Sequence, residues 1–306
     1  MTPLPVPSRG NQDDHSAVPA EEQSTFRNPR TTAELAALDG DISLLAGGTD
    51  VLVQRRDGRE FGTLVDLTGL SDAPPAVSHG GGVITLSALA PLTDISLGLG
   101  SALPGLRAAI GCFASAQIRN RATLGGNLAN ASPAADSVPP LVAASAVLTL
   151  RSGAGSRRVG VEEFLLGPGR TCLRRGEWIH TIDVPDEPGR QEGFRKIAGR
   201  RALAISVVSL AWAWTPTDSG LRDVRLAAGA VAPTVIRCPR TEAVLTGQLP
   251  TSELAITAAA VLREEISPID DLRATADYRY AAIAGALVEA LNGINGIAGF
   301  QIPEEI

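Results

Sequence analysis

The order of apolar and polar positions along the chain predicts most of its elements. Thr31 and Glu34 stand at capping-box spacing ahead of Asp39-Gly40, which predicts a helix over about 31–38. Ser43 to Leu45, TLVDL at 63–67 and GVITLSAL at 82–89 are aliphatic runs that read as strands, and Pro91 opens a further helix. Over 103–116 the apolar positions Leu106, Ala109, Ile110 and Phe113 recur at i, i+3, i+4 and i+7, the pattern of a helix packed on one face. Strands follow at about 145–151 and 178–184. After the turn-rich Asp186-Glu187-Pro188-Gly189 the texture changes. GFRKIA, AISVVSLAWAW and LRDVRLAAGAVA predict three antiparallel strands, followed by helices near 239–246, 251–265 and 276–291. The expected fold is α+β, with an ordered part in 25–188 and a small strand-then-helix part in 189–306. Residues 1–24 hold too few apolar side chains to pack and lack the profile of a secretory signal, so they read as a disordered extension.

Composition narrows the function. The 306 residues are 44% apolar and 20% charged, enough to bury a sizeable core. A net charge of −6, with arginine pairs scattered at 55–56, 157–158 and 200–201, argues against a nucleic-acid partner. The most apolar run, Ala202 to Trp214, is shorter than the roughly 20 residues of a membrane span and reads as a buried strand. Cys112, Cys172 and Cys238 are far apart, as are His15, His79 and His180, so no metal-ligand spacing is present. The expected compartment is the reducing cytoplasm, and redox chemistry here needs a bound organic cofactor.

Two glycine pairs supply the candidate chemistry. AGGTD at 46–50 sits at a strand-to-helix junction, and RATLGGNLANASP at 121–133 carries a second pair flanked by hydroxyl and amide side chains. Neither is a P-loop, because no GK[ST] follows, and neither is a Rossmann GxGxxG. Each alone fits a bare turn. Together they fit a site where backbone amides from two loops converge on one diphosphate.

In sequence order, AGGTD, QIRNRATLGGNLANASPAAD, GPGRT, RKIAGRRALAISVVS and GAVAPT resemble the FAD-binding subunit of molybdenum hydroxylases, a family that includes the medium subunit of carbon monoxide dehydrogenase and the flavin segment of xanthine dehydrogenase. The similarity covers about residues 26–295. It implies a two-part FAD-binding domain of the PCMH type in 25–188 and a carbon monoxide dehydrogenase flavoprotein C-terminal-like domain in 189–306. It further implies that Leu44, Leu45, Ala46, Gly47, Gly48, Thr49, Asp50 and Val51 wrap the FAD pyrophosphate, with Thr123, Leu124, Gly125, Gly126 and Asn127 closing from the other side. Asp136 matches a carboxylate that bonds a ribose or ribityl hydroxyl, and its alternative is a helix N-cap. Phe113 and Ile179 match positions packed against the cofactor, or are plain core. Lys196 matches a lysine near the flavin end, or is a solvated strand charge. The chain departs from the family pattern at Ala204, where relatives carry an acidic residue, and at His180, which is either structural or a titratable group facing the flavin.

The function implied is a subunit that receives electrons from iron–sulfur clusters on a partner chain and passes them to an external acceptor, a nicotinamide nucleotide among the candidates. A separate molybdopterin chain then oxidises the substrate, since this chain has no place for clusters or a pterin. A self-sufficient flavin oxidase or dehydrogenase, with His180 as base, and a nucleotide-stabilised assembly subunit are the alternatives.

Overall fold

A computed structural model describes residues 26–200 and 203–294. The proposed extension at 1–24 lies outside them. The first lobe holds β1 (Phe26–Arg27), α1 (Thr32–Ala36), β2 (Ile42–Leu45), α2 (Val51–Arg56) and β3 (Thr63–Asp66). Its sheet is parallel, in the order β1-β3-β2. Thr31 caps α1 by accepting from the Glu34 amide at 3.1 Å, while the Glu34 carboxylate reaches one residue further back, to the Arg30 amide. The helix start is where the capping-box spacing put it, with the reciprocal bond shifted by one residue.

The second lobe follows. Its elements are β4 (Val77–Gly80), β5 (Val83–Ser87), α3 (Leu92–Gly98), α4 (Pro104–Gly111), α5 (Ala116–Arg119), α6 (Leu124–Asn130), α7 (Val138–Ala143), β6 (Val147–Ser152), β7 (Gly155–Gly160), α8 (Val161–Phe164), β8 (Leu165–Gly167), β9 (Arg170–Thr171) and β10 (Trp178–Pro185). A five-stranded sheet in the order β4-β5-β10-β6-β7 carries it, and β8 pairs with β9. The helix expected over 103–116 stops at Gly111. Ala114 turns to φ 42°, and Ser115 then caps α5 by accepting from Ile118 N. Phe113 is left in the break between the two helices.

The third part holds β11 (Gln191–Ile197), β12 (Val208–Thr217), β13 (Gly220–Gly229), β14 (Ile236–Arg237), α9 (Pro239–Leu245), α10 (Ser252–Glu265) and α11 (Ala276–Asn292). Its three long strands are antiparallel, as expected, and the short β14 adds a fourth at the edge beside β13. Alternation along β12 decides how this sheet is sandwiched. Ala211 and Ala213 join the core of the second lobe, whereas Leu210 and Trp214 join a separate core under α9 to α11. Small side chains on one face let α7 lie close, and large ones on the other fill the space beneath the helices. Among the described residues no helix is long and apolar enough to cross a membrane.

Candidate functional site

Two adjoining cavities run between the three parts. The first, of about 250 Å³, lies between the two glycine turns, and the second, of about 680 Å³, opens toward the third part. Asp50, Phe113, Asn127 and Asn130 line both.

The first turn leaves β2 and enters α2. Gly47 is pressed against the second turn so closely that a Cβ there would stand 2.0 Å from the Arg121 carbonyl oxygen. Gly48 takes φ +72°, a region side chains rarely adopt. The amides of Gly48, Thr49 and Asp50 form no hydrogen bond to another described residue, as the open start of a helix dictates. The second turn, expected as a loop, is the first turn of α6. Thr123 caps it by accepting from Gly126 N at 2.9 Å, and Gly125 N donates to Ala88 O at 2.9 Å. A Cβ on Gly125 would lie 2.6 Å from that same oxygen, whereas one on Gly126 would meet Thr123 Oγ1 at 3.1 Å and nothing else within 4 Å. The face of α6 at Gly126 is therefore bare toward the cavity.

Of the expected residues, Leu44, Ala46 to Val51, Phe113, Thr123, Gly125, Gly126, Asn127 and Ile179 line the first cavity. Leu45 and Leu124 do not. Both are buried core side chains, because β2 and α6 each turn those positions inward. Ile179 does both jobs, being 5% exposed, part of the second lobe's core and in the cavity wall. Sequence reasoning missed Arg59 and Trp178 in this wall. Arg59 donates to Gln54 Oε1 at 2.6 Å and lies over the Phe61 ring, on a connection with no periodic signal to find it by.

Asp136 lines the second cavity and is 6% exposed. It does not cap α7, whose N-cap is Ser137 with no side-chain bond to the helix. Instead its Oδ2 lies 2.5 Å from Lys196 Nζ, and its Oδ1 accepts from Ser206 Oγ at 2.6 Å. Burial pushes the carboxyl above its usual value, and the Lys196 and Ser206 hydrogen bonds pull it back. Lys196 is thus no solvated strand charge; it is buried behind Asp136, also donates toward Cys112 O at 3.4 Å, and lines neither cavity. Its ammonium reaches the site only through its partner. Ala204 stands in the wall of the second cavity beside the exposed Leu203 and Ile205, so no carboxylate comes from that position. Asp271, paired to Arg273 and Arg279, closes the far end.

His180 is not gathered in. It falls in a bulge of β10 between Ile179 and Thr181, away from the residues lining both cavities, with Nε2 3.2 Å from Arg151 Nη1. Burial and the Arg151 charge lower its pKa, against the pull of Asp72. Nothing in this placement offers a base to a ligand. Among the described residues no group of three His, Cys, Asp or Glu could hold a metal ion.

Bare amides beside a glycine face that a side chain would fill, with Arg59 at hand, suit a diphosphate. The longer second cavity, walled by Phe113 and aliphatic side chains around one paired carboxylate, suits a flat heteroaromatic group. Comparison with known proteins agrees. The family described as FAD binding domain in molybdopterin dehydrogenase matches residues 23–187, and that described as CO dehydrogenase flavoprotein C-terminal domain matches 194–294. The chain is similar to the xanthine dehydrogenase FAD-binding subunit of Escherichia coli O157:H7, with 31% identity over 301 residues covering 91% of this chain and 98% of the relative. It is also similar to the nicotine 6-hydroxylase medium subunit of Paenarthrobacter nicotinovorans, with 28% identity covering 87% and 94%. In structure it matches a chain of carbon monoxide dehydrogenase from Hydrogenophaga pseudoflava at a TM-score of 0.82 and 27% identity, over 88% of this chain and 96% of that one. The chain belongs to the FAD-binding, or medium, subunits of the molybdenum hydroxylase-type dehydrogenases, oxidoreductase components whose cofactor is FAD.

Proposed function

We propose that the two cavities form one FAD site. The pyrophosphate lies between the turns at Gly47-Gly48 and Gly125-Gly126, and the isoalloxazine lies toward Asp136. The observation that carries this reading is the convergence of both turns on one cleft, with the bare face of α6 at Gly126 turned into it. Amides of the first turn donate to the phosphate oxygens, and Arg59 adds positive charge. Asn127 accepts from Ser137 Oγ through Oδ1 at 2.7 Å, which leaves its NH₂ free to donate into the cavity. The walls at Trp178, Ile179 and Phe113 keep water from the apolar parts of the ligand. We place the division between the FAD-binding part and the C-terminal part near residue 188, between the spans of the two family matches.

When bound, FAD supplies the redox chemistry, taking electrons from iron–sulfur clusters of a partner chain and yielding them to an external acceptor such as a nicotinamide nucleotide. The molybdopterin-bearing chain is the place of substrate oxidation. This chain contributes position and electrostatics. The relay is tested by anaerobic absorbance spectroscopy of the isolated, FAD-loaded chain with candidate organic substrates. Persistence of the oxidised-flavin spectrum until the cluster-bearing partner is added is the expected result. Rapid bleaching without a partner rejects the relay and supports a self-sufficient oxidase.

A further inference from the structure

Ser206 has no exposed surface and sits at the end of the segment that follows the double arginine, while its hydroxyl spends its one donor on Asp136 Oδ1 at 2.6 Å. Lys196 takes the other carboxylate oxygen from the strand side at 2.5 Å. The two donors come from different elements, β11 and the approach to β12, and clamp the carboxylate between them. Asp136 is the member that reaches the second cavity. We infer that Ser206 is a positioning residue for FAD: with Lys196 it keeps the Asp136 carboxylate ionised and fixed, so that Asp136 presents an acceptor to a donor group on the bound cofactor. This rests on assigning the second cavity to FAD.

The physical reason is a balance. A carboxylate this deeply buried is disfavoured by desolvation, and hydrogen bonds to its charged form oppose that cost. The neighbouring titratable and charged groups are few. Behind the pair lies Cys112, whose thiol is pushed up by burial and by Asp136, with Arg119 beyond it. Across the cavity stand Asp50 and the mutually paired Asp271, Arg273 and Arg279. None of these hydrogen-bonds Asp136, so the two clamping donors set its ionisation. Removing Ser206 takes away one interaction that favours the charged form, and Asp136 then takes up a proton at higher pH. A protonated carboxyl offers a poorer acceptor.

The test is FAD affinity of the full chain, by flavin fluorescence, as a function of pH, with Tm of the apoprotein measured alongside. For Ser206→Ala we expect affinity within about twofold of the parent at about pH 8 and about tenfold weaker at about pH 6, because an upward pKa move of one unit changes the ionised fraction by up to that factor. Ser206→Thr restores the parent profile. Lys196→Gln removes the other donor and moves the acid limb further in the same direction, which covers the case in which a threonine methyl does not fit. An unchanged profile for Ser206→Ala overturns the proposal. So does a loss of affinity equal at all pH values that tracks a lower Tm, which is what a purely structural serine gives. Asp136→Asn separates the underlying assignment. Unchanged FAD affinity in that variant at every pH removes Asp136 from the FAD site and the proposal with it, whereas weakened, pH-independent binding supports both.

Discussion

The two Gly-Gly pairs are the same dipeptide doing the same two jobs in different ways. In each, the first glycine makes room for protein and the second shapes the site. Gly47 yields its Cβ space to the Arg121 carbonyl, and Gly125 yields its own to the Ala88 carbonyl. The second glycines then diverge. Gly48 is needed for its positive φ, with Leu52 Cδ1 3.0 Å from where a Cβ would go, whereas Gly126 has ordinary helical geometry and an open face. A glycine pair in such a turn therefore reports two constraints, only one of which concerns the ligand.

The largest effect is expected at Gly47→Ala. The Cβ would meet a backbone oxygen, which cannot rotate away, so the two turns must part at a cost of about 3 kcal/mol or more. A Tm fall of the apoprotein together with lost FAD retention checks it; an unchanged apoprotein Tm breaks the division of labour. Gly48→Ala comes next. Left-handed geometry for a residue with a Cβ costs about 1–2 kcal/mol, so apoprotein stability drops by that much and FAD affinity falls with it. Gly126→Ala should behave in the opposite sense in the absence of ligand. Alanine is favoured over glycine in a helix by up to about 1 kcal/mol, so the apoprotein is as stable as the parent or more so, while the Tm increase on adding FAD shrinks or disappears. Equal FAD-induced Tm shifts in parent and Gly126→Ala would place the ligand elsewhere.

The smallest effect sharpens the comparison from outside the cavities. His180 has a lowered pKa in the folded state, so the unfolded chain takes up the proton first. Its stabilising contribution is complete above the unfolded value of about 6.5 and is lost as pH falls through the lower folded value. His180→Gln should flatten that part of a Tm profile between about pH 8 and 5 while leaving FAD affinity unchanged. A change in FAD affinity instead would return His180 to the site.

The strands, the capped helices and the three long C-terminal strands were legible because their signals are local: Thr31, Thr251 and Thr275 each cap the helix that the periodicity predicts. β4 and β7 were not, since VSHG and GSRRVG show little apolar alternation and are strands because β5 and β6 offer edges to pair with. The second cavity was hidden for another reason. Its wall is assembled from positions as distant as Phe113, Asp136, Ala204 and Arg279, and no spacing rule links them. The resemblance to a family named Asp136 and Lys196 separately, but only coordinates show that one stands behind the other.

The bulge at His180 has an arithmetic consequence. On an unbroken strand, positions an odd number apart face opposite ways, yet Ile179 and Ile182 both enter the second lobe's core. The extra residue resets odd and even. It lets Ile179 share a face with Ile182 and Val184 while Trp178 points into the packing of the first lobe. What the position carries is thus a count rather than a chemistry. Any side chain that tolerates the bulge keeps Trp178 and Ile179 facing as they do, and only an insertion or deletion there would exchange them.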